Sequence, residues 1–275
     1  MKRWCTAACL LALSACSRPT TPAAAPPAPS PKAKPAAAAK AKDATPTPPD
    51  AATVAAATAP EGKIQTGDGA TVAAFFRPAV GEAKMGVLLV HMLGRTHADW
   101  DAEAAALNKA GYATLAIDLR GHGASRAPDG ASHTKFTEAQ WKAASGDLAV
   151  AMDDLSFRVR DKKFAIVGAS IGANLALEYA ALAPQAVAGV ALLSPGLDYH
   201  GVKSEPPLAK LSSLSLLLAA GQGDKYSADS VARLAKLHPA AKATVLTFAT
   251  DAHGTDLFAK TDLRRKLLAW LGKLG

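Results

Sequence analysis

The chain of 275 residues is 49% hydrophobic, enough to bury a sizeable core in one large domain or two small ones. Its formal net charge of +8 is uneven: residues 1–60 hold seven lysines and arginines against two aspartates, a net +5, leaving +3 for the other 215. That remainder is too small to argue for a nucleic-acid partner, and with Cys5, Cys9 and Cys16 as the only cysteines, residues 17–275 hold no disulfide framework, cysteine metal site or cysteine nucleophile.

Lys2 and Arg3 precede a short apolar run over residues 4–13. A spanning helix needs about 20 apolar residues, so the run reads as the centre of an export signal. Residues 17–60 follow, with 11 of the 18 prolines and no aromatic side chain. Such a segment cannot bury enough apolar surface to offset its ordering entropy, and disorder is predicted. It reads as a tether whose basic excess suits an anionic surface. Specific contact of its lysines with cell wall is the alternative to a plain spacer.

The globular part is predicted to begin near Lys63. Residues 63–66 and 71–76, separated by Gly67-Asp68-Gly69, predict a hairpin. Residues 85–91 form a continuous apolar strand. A helix over 98–110 ends at Gly111, a C-terminal stop signal, and a buried strand covers 113–117. A loop over 119–136 precedes a long helix over 137–157 with Thr137 as its cap. Strands at 163–167, 187–193, 215–219 and 244–248 then alternate with helices at 173–181, 228–237 and 257–271. Apolar strands alternating with helices predict an α/β fold, a mostly parallel sheet with helices on both faces. Only about 20 residues separate the strands ending near Leu193 and starting near Ser215, room for one short helix over 208–212 and for no large lid domain.

Between the strand at 163–167 and the helix at 173–181 stands Gly168-Ala169-Ser170-Ile171-Gly172. A serine joining a buried strand to a helix sits on a tight turn, predicted to hold Ser170 at positive φ at a cost of about 1–3 kcal/mol. Glycines two residues either side fit because a Cβ there would strike backbone. The helix start directs free N–H groups at the serine. A nucleophilic serine needs a base and a group that orients the base. His253 follows the last predicted strand, and Asp224 follows the one before, in Gly221-Gln222-Gly223-Asp224. In a parallel sheet both lie at the carboxyl edge, where the serine also lies. Asp198, after the strand ending near Leu193, is the rival acid. His97, His133, His200 and His238 show no metal-ligand spacing and are expected to be solvated or at helix ends.

With these motifs in place, residues 62–275 resemble α/β-hydrolase fold enzymes, in particular compact esterase-like and dienelactone-hydrolase-like members. The likeness rests on Gly168-Ala169-Ser170-Ile171-Gly172, on His91-Met92-Leu93-Gly94 in the family's His-Gly-x-Gly place, on the segment from Asp118 to Ser125, on Asp224 and on Ala252-His253-Gly254. It implies the order serine, acid, base, with Ser170 as nucleophile, Asp224 as acid and His253 as base of an ester hydrolase. It implies backbone oxyanion donors at Leu93 and Ile171, and loop-bracing roles for His91, His122, Asp118 and Arg120. Met92 stands where the family has glycine and is expected to narrow the acyl pocket. The expected substrate is a small-molecule ester, with no cofactor and no metal. An acyltransferase with the same three residues and an inactive tethered binding protein are the alternatives.

Leu13-Ser14-Ala15-Cys16 resembles the lipobox of bacterial lipoproteins. It implies a signal peptide over 1–15, lipidation of Cys16, a tether over 16–60 and a hydrolase domain over 61–275. The protein is then exported and held at a membrane through Cys16, and Ser17 resembles the outer-membrane sorting pattern where two membranes exist.

Overall fold

The structure, a computed structural model, describes residues 62–239 and 242–275. The apolar leader, Cys16 and the proposed tether lie outside them.

Ten strands are present among the described residues: β1 (Gly62–Gln65), β2 (Thr71–Arg77), β3 (Met85–Val90), β4 (Tyr112–Asp118), β5 (Lys163–Ala169), β6 (Gly189–Leu193), β7 (Asp198–Tyr199), β8 (Val202–Lys203), β9 (Ser215–Gly221) and β10 (Ala243–Phe248). Eight form one sheet in the order β1-β2-β4-β3-β5-β6-β9-β10, and β7 and β8 form a separate hairpin. β2 pairs antiparallel with β1 and β4, and every pairing from β4 to β10 is parallel. The α/β-hydrolase sheet expected from the sequence is therefore present.

The helices are α1 (Asp101–Lys109), α2 (Glu138–Ala143), α3 (Ser145–Arg158), α4 (Ile171–Leu182), α5 (Glu205–Leu208), α6 (Lys225–Leu237), α7 (Leu257–Lys260) and α8 (Leu263–Leu271). Successive strand side chains point to opposite faces, so the apolar run of β3 feeds two cores. Leu88 and Val90 join Leu148 and Leu155 of α3 and Leu175 of α4 on one face. Met85, Val87 and Leu89 join Leu107 of α1 and Leu267 and Trp270 of α8 on the other. Burial on both faces is why these strands read as continuous apolar runs.

Three elements differ from expectation. The helix expected over 137–157 is two helices meeting at Ala144. Thr137 does cap α2, in a reciprocal box with Gln140. Ser145-Gly146 propagates a helix poorly, and Asp147 is turned inward to accept the Arg120 backbone N–H at 2.7 Å. The last helix is broken by Thr261, whose hydroxyl donates to Leu257 O at 2.7 Å and accepts the Leu263 N–H at 3.1 Å, closing α7 and opening α8. The short helix expected over 208–212 is α5, set earlier by Pro206 and Pro207 in its first turn, where proline costs no hydrogen bond. The β7–β8 hairpin, turning at His200 and Gly201 with φ +53° and +83°, precedes it. No lid domain occupies the β6–β9 connection. Among the described residues, no helix is long and apolar enough to cross a membrane.

Candidate active site

Ser170 occupies the turn between β5 and α4 with φ 54° and ψ −120°, a left-handed backbone that L-residues adopt only when their surroundings impose it. The surroundings are backbone. A Cβ on Gly168 would lie 2.3 Å from Gly172 O, and one on Gly172 would lie 2.6 Å from the carbonyl oxygens of both Val90 and His91. The turn is thus pressed onto β3, and only glycine fits at either position. Ser170 donates its N–H to Leu193 O at 2.8 Å, and its carbonyl accepts from Ala173 at 2.9 Å. Ile171 is the first residue of α4, so its N–H has no intrahelical acceptor.

The loops after β9 and β10 meet closely. A Cβ on Gly221 would lie 2.5 Å from Thr250 O, and one on Gly223 would lie 3.0 Å from the Asp251 Cα. This brings Asp224, at the N-terminus of α6, to His253: Nδ1 lies 2.6 Å from Oδ2. Burial raises the Asp224 pKa, but hydrogen bonds from the Ser227 hydroxyl, His253 and the Ser227 N–H outweigh it and hold the carboxyl below its usual value. Asp198, the rival, closes its own hairpin, with Oδ1 accepting the Gly201 N–H at 2.7 Å.

The His253 loop is pinned beside Ser170. Gly254 donates its N–H to Ser194 Oγ at 2.9 Å, and a Cβ on Gly254 would lie 3.4 Å from that of Ala169. Ser194 follows Leu193, which binds the Ser170 N–H, and is itself held at φ 51°. Ser194 was not singled out by its sequence; the Ser-Pro-Gly turn after β6 is its only local signal. Ser227 and Tyr199 were missed as well. Ser227 Oγ lies 3.5 Å from His253 Nδ1. It sits three residues past Asp224 on the first turn of α6, a spacing that brings side chains together.

On the other flank of β5, Leu93 lies in a turn closed by the Arg95 N–H donating to Met92 O at 3.1 Å. His91 and His122 brace this region. His91 Nε2 accepts the Leu119 N–H at 2.9 Å and its Nδ1 faces Met92 O at 2.8 Å. His122 Nε2 accepts the Gly94 N–H at 3.3 Å and its Nδ1 faces Arg120 O at 3.1 Å. Each pattern calls for a neutral ring with the proton on Nδ1. Burial lowers both pKa values, that of His122 to about 3. Asp118 accepts from the His97 N–H at 2.8 Å, His97 Nδ1 at 2.9 Å and the Ala124 N–H at 2.8 Å. Arg120 spans Asp147 at 2.8 Å and Asp68 at 2.6 Å.

Met92 is buried, and its sulfur is the atom a Cβ on Gly254 would strike at 2.6 Å, so it packs against the His253 loop. Three of the remaining histidines lie at helix ends, as expected: His97 and His133 open short 3-10 turns and His238 closes α6. His97 stacks on Phe75 at 3.3 Å, His133 stacks on His122 at 3.8 Å, and His238 is buried at the end of α6 with Nε2 2.8 Å from Leu214 O. Only His200 is exposed, stacked on Trp141 at the hairpin turn. Among the described residues no cluster of three metal-ligating side chains occurs.

The model of a family described as serine aminopeptidase, S33, matches residues 81–243. No curated protein sequence matches the chain. Among solved structures, the dienelactone hydrolase of Anabaena variabilis is 20% identical with a TM-score of 0.61, over 77% of this chain and 95% of that one. A highly thermostable carboxyl esterase from Bacillus coagulans is 14% identical with a TM-score of 0.61, over 77% and 97%. The meta-cleavage product hydrolase of Pseudomonas fluorescens is 16% identical with a TM-score of 0.61, over 78% and 98%. At these identities the likeness concerns the fold, and it agrees with the sheet described above.

Proposed function

The chain belongs to the serine aminopeptidase S33 family of hydrolases, and from that premise we propose that it cleaves carboxylic esters of small molecules through an acyl-enzyme on Ser170. The observation that carries the reading is the 2.6 Å contact of His253 Nδ1 with Asp224 at the sheet edge that also holds the strained Ser170 turn.

Ser170 Oγ attacks the acyl carbon and passes its proton to His253 Nε2, the ring nitrogen turned away from Asp224. The ionised Asp224 holds the Nδ1–H tautomer and stabilises the imidazolium. The N–H groups of Ile171 and Leu93 receive the carbonyl oxygen as it gains charge. Each such preset donor is worth about 3 kcal/mol in the transition state. His253 returns the proton to the departing alkoxide oxygen, and water, activated by the same base, then frees the acyl group. Ester substrates are favoured over peptides by analogy with solved structures of the same fold, a carboxyl esterase among them. The absence of a lid domain over the β6–β9 connection favours small or surface-borne esters.

The test is a p-nitrophenyl ester series of increasing acyl length, run beside aminoacyl p-nitroanilides on the full chain. Ester turnover that falls as the acyl chain lengthens, with the anilides untouched, supports the reading. Anilides cleaved faster than esters would overturn it in favour of an aminopeptidase.

We also propose that the enzyme works exported and held at a membrane surface through lipidated Cys16. This rests on Leu13-Ser14-Ala15-Cys16 and the apolar run before it.

A further inference from the structure

The mechanism above leaves one half-buried polar side chain near the reacting atoms without a task. Tyr199 stands in β7, on the connection after β6. Its hydroxyl lies 3.3 Å from Ser194 O and 3.3 Å from Ser227 Oγ; Ser194 follows Leu193, whose carbonyl accepts the Ser170 N–H, and Ser227 Oγ lies 3.5 Å from His253 Nδ1. Its ring meets His253 edge to face, centroids 6.5 Å apart. A Cβ on Gly196 would lie 2.6 Å from the Tyr199 ring, so the ring lies flush against the Gly196 backbone.

Topology says which side of the reaction this hydroxyl serves. β5 has β3 on one flank and β6 on the other. Leu93, the proposed oxyanion donor, follows β3. Tyr199 follows β6, across Ser170 from Leu93 and on the His253 side. The leaving group must depart on the side of His253, because that base returns the proton to it. Both resting contacts of the phenol are long compared with the usual 2.7–2.8 Å for O–H···O, so a charged oxygen placed beside Ser170 competes well for its hydrogen. Burial raises the Tyr199 pKa, which keeps the phenol protonated and therefore a donor.

Building on the ester-hydrolase reading, we propose that Tyr199 donates a hydrogen bond to the leaving oxygen during acylation and so extends the enzyme to esters of poorly acidic alcohols. The phenol keeps its proton throughout. The C–O bond breaks, the electron pair goes to the leaving oxygen, and the proton that oxygen gains is the one His253 took from Ser170. Help of this kind matters in proportion to the charge on the leaving oxygen. It is small for a p-nitrophenolate and large for an alkoxide.

Tyr199→Phe on the full chain tests this, because the phenyl ring keeps the packing and loses only the hydroxyl. Acetate esters are compared from p-nitrophenyl through phenyl to ethyl, with fluorophosphonate labelling of Ser170 to count competent sites. The expected loss in kcat/KM grows along the series, from about threefold on p-nitrophenyl acetate to about thirtyfold on ethyl acetate, with the labelled fraction equal to wild type. An equal loss on every ester would overturn the proposal and make Tyr199 a packing residue, and no loss on ethyl acetate would overturn it too. A wild type that neither labels nor turns over any ester would overturn the parent reading instead.

Discussion

His253 Nδ1 and Asp224 Oδ2 stand 2.6 Å apart although 29 residues separate them in the chain. The contact exists because β9 and β10 are parallel neighbours whose carboxyl ends open at one edge, and because glycines at 221 and 223 let the two loops touch. Asp198, only five residues past β6, is spent on its own hairpin turn. Asp224→Asn is therefore expected to lower kcat by about 10⁴, the loss seen when a serine protease loses this partner. Asp198→Asn should change kcat by less than about threefold. Steady-state kinetics on one p-nitrophenyl ester decides between them, and the reverse ranking would reassign the acid.

The Ser170 turn makes a sharper demand on stability. A Cβ on Gly172 meets two carbonyl oxygens at 2.6 Å, and both belong to backbone that cannot rotate aside. Gly172→Ala should cost at least about 2–3 kcal/mol, in the upper part of the range for overpacking. The loss is to be read from denaturant unfolding. Gly130→Ala is the control: nothing lies within 4 Å of its Cβ position, and only its φ of +71° is strained, so its cost should be about 1 kcal/mol.

Acid stability should depend on Asp68. Its hydrogen bond to Arg120, opposed by partial burial and helped by Thr66, lowers its pKa to about 2 from 3.8. Between those values the folded protein holds fewer protons than the unfolded chain, so stability from Asp68 is full above about pH 4 and is lost as pH falls towards 2. The carboxylate is 45% exposed, and solvent screening leaves about 0.5–1 kcal/mol of this pairing. Asp68→Asn should then lower Tm by about 1–4 °C at pH 7, with the gap to wild type closing by pH 2. A gap independent of pH would show that the ion pair is not its source.

Membrane attachment is open to a direct check. Metabolic labelling with a fatty-acid probe should mark the wild-type protein and leave Cys16→Ala unmarked. Because a single acyl chain binds only marginally, stable attachment further requires more than one chain on the mature protein. Equal labelling of both proteins would remove the lipobox reading.

What the sequence disclosed and what it hid divide along contact range. The Ser170 turn was legible because its glycines are imposed by contacts inside a five-residue motif and onto the strand next door. The meeting of Asp224 with His253 was legible because parallel strands place their following loops at one edge, whatever the side chains. Ser194, Tyr199 and Ser227 were not legible. Ser194 reaches Gly254 across 60 residues and Tyr199 reaches Ser227 across 28, and neither pairing leaves a periodic or compositional trace. The β7–β8 hairpin was hidden for another reason: strands of two residues are too short to alternate.

The central claim is that Ser170 is a nucleophile made reactive by His253. The most direct measurement is covalent labelling of the full chain with a fluorophosphonate, located by mass spectrometry and timed. The account predicts rapid stoichiometric labelling at Ser170, none in Ser170→Ala, and labelling slowed by at least about 10³ in His253→Ala, a bound well inside the loss of about 10⁶ in kcat when such a base is removed. A folded wild-type protein that leaves Ser170 unlabelled, or a His253→Ala variant that labels as fast as wild type, would contradict it.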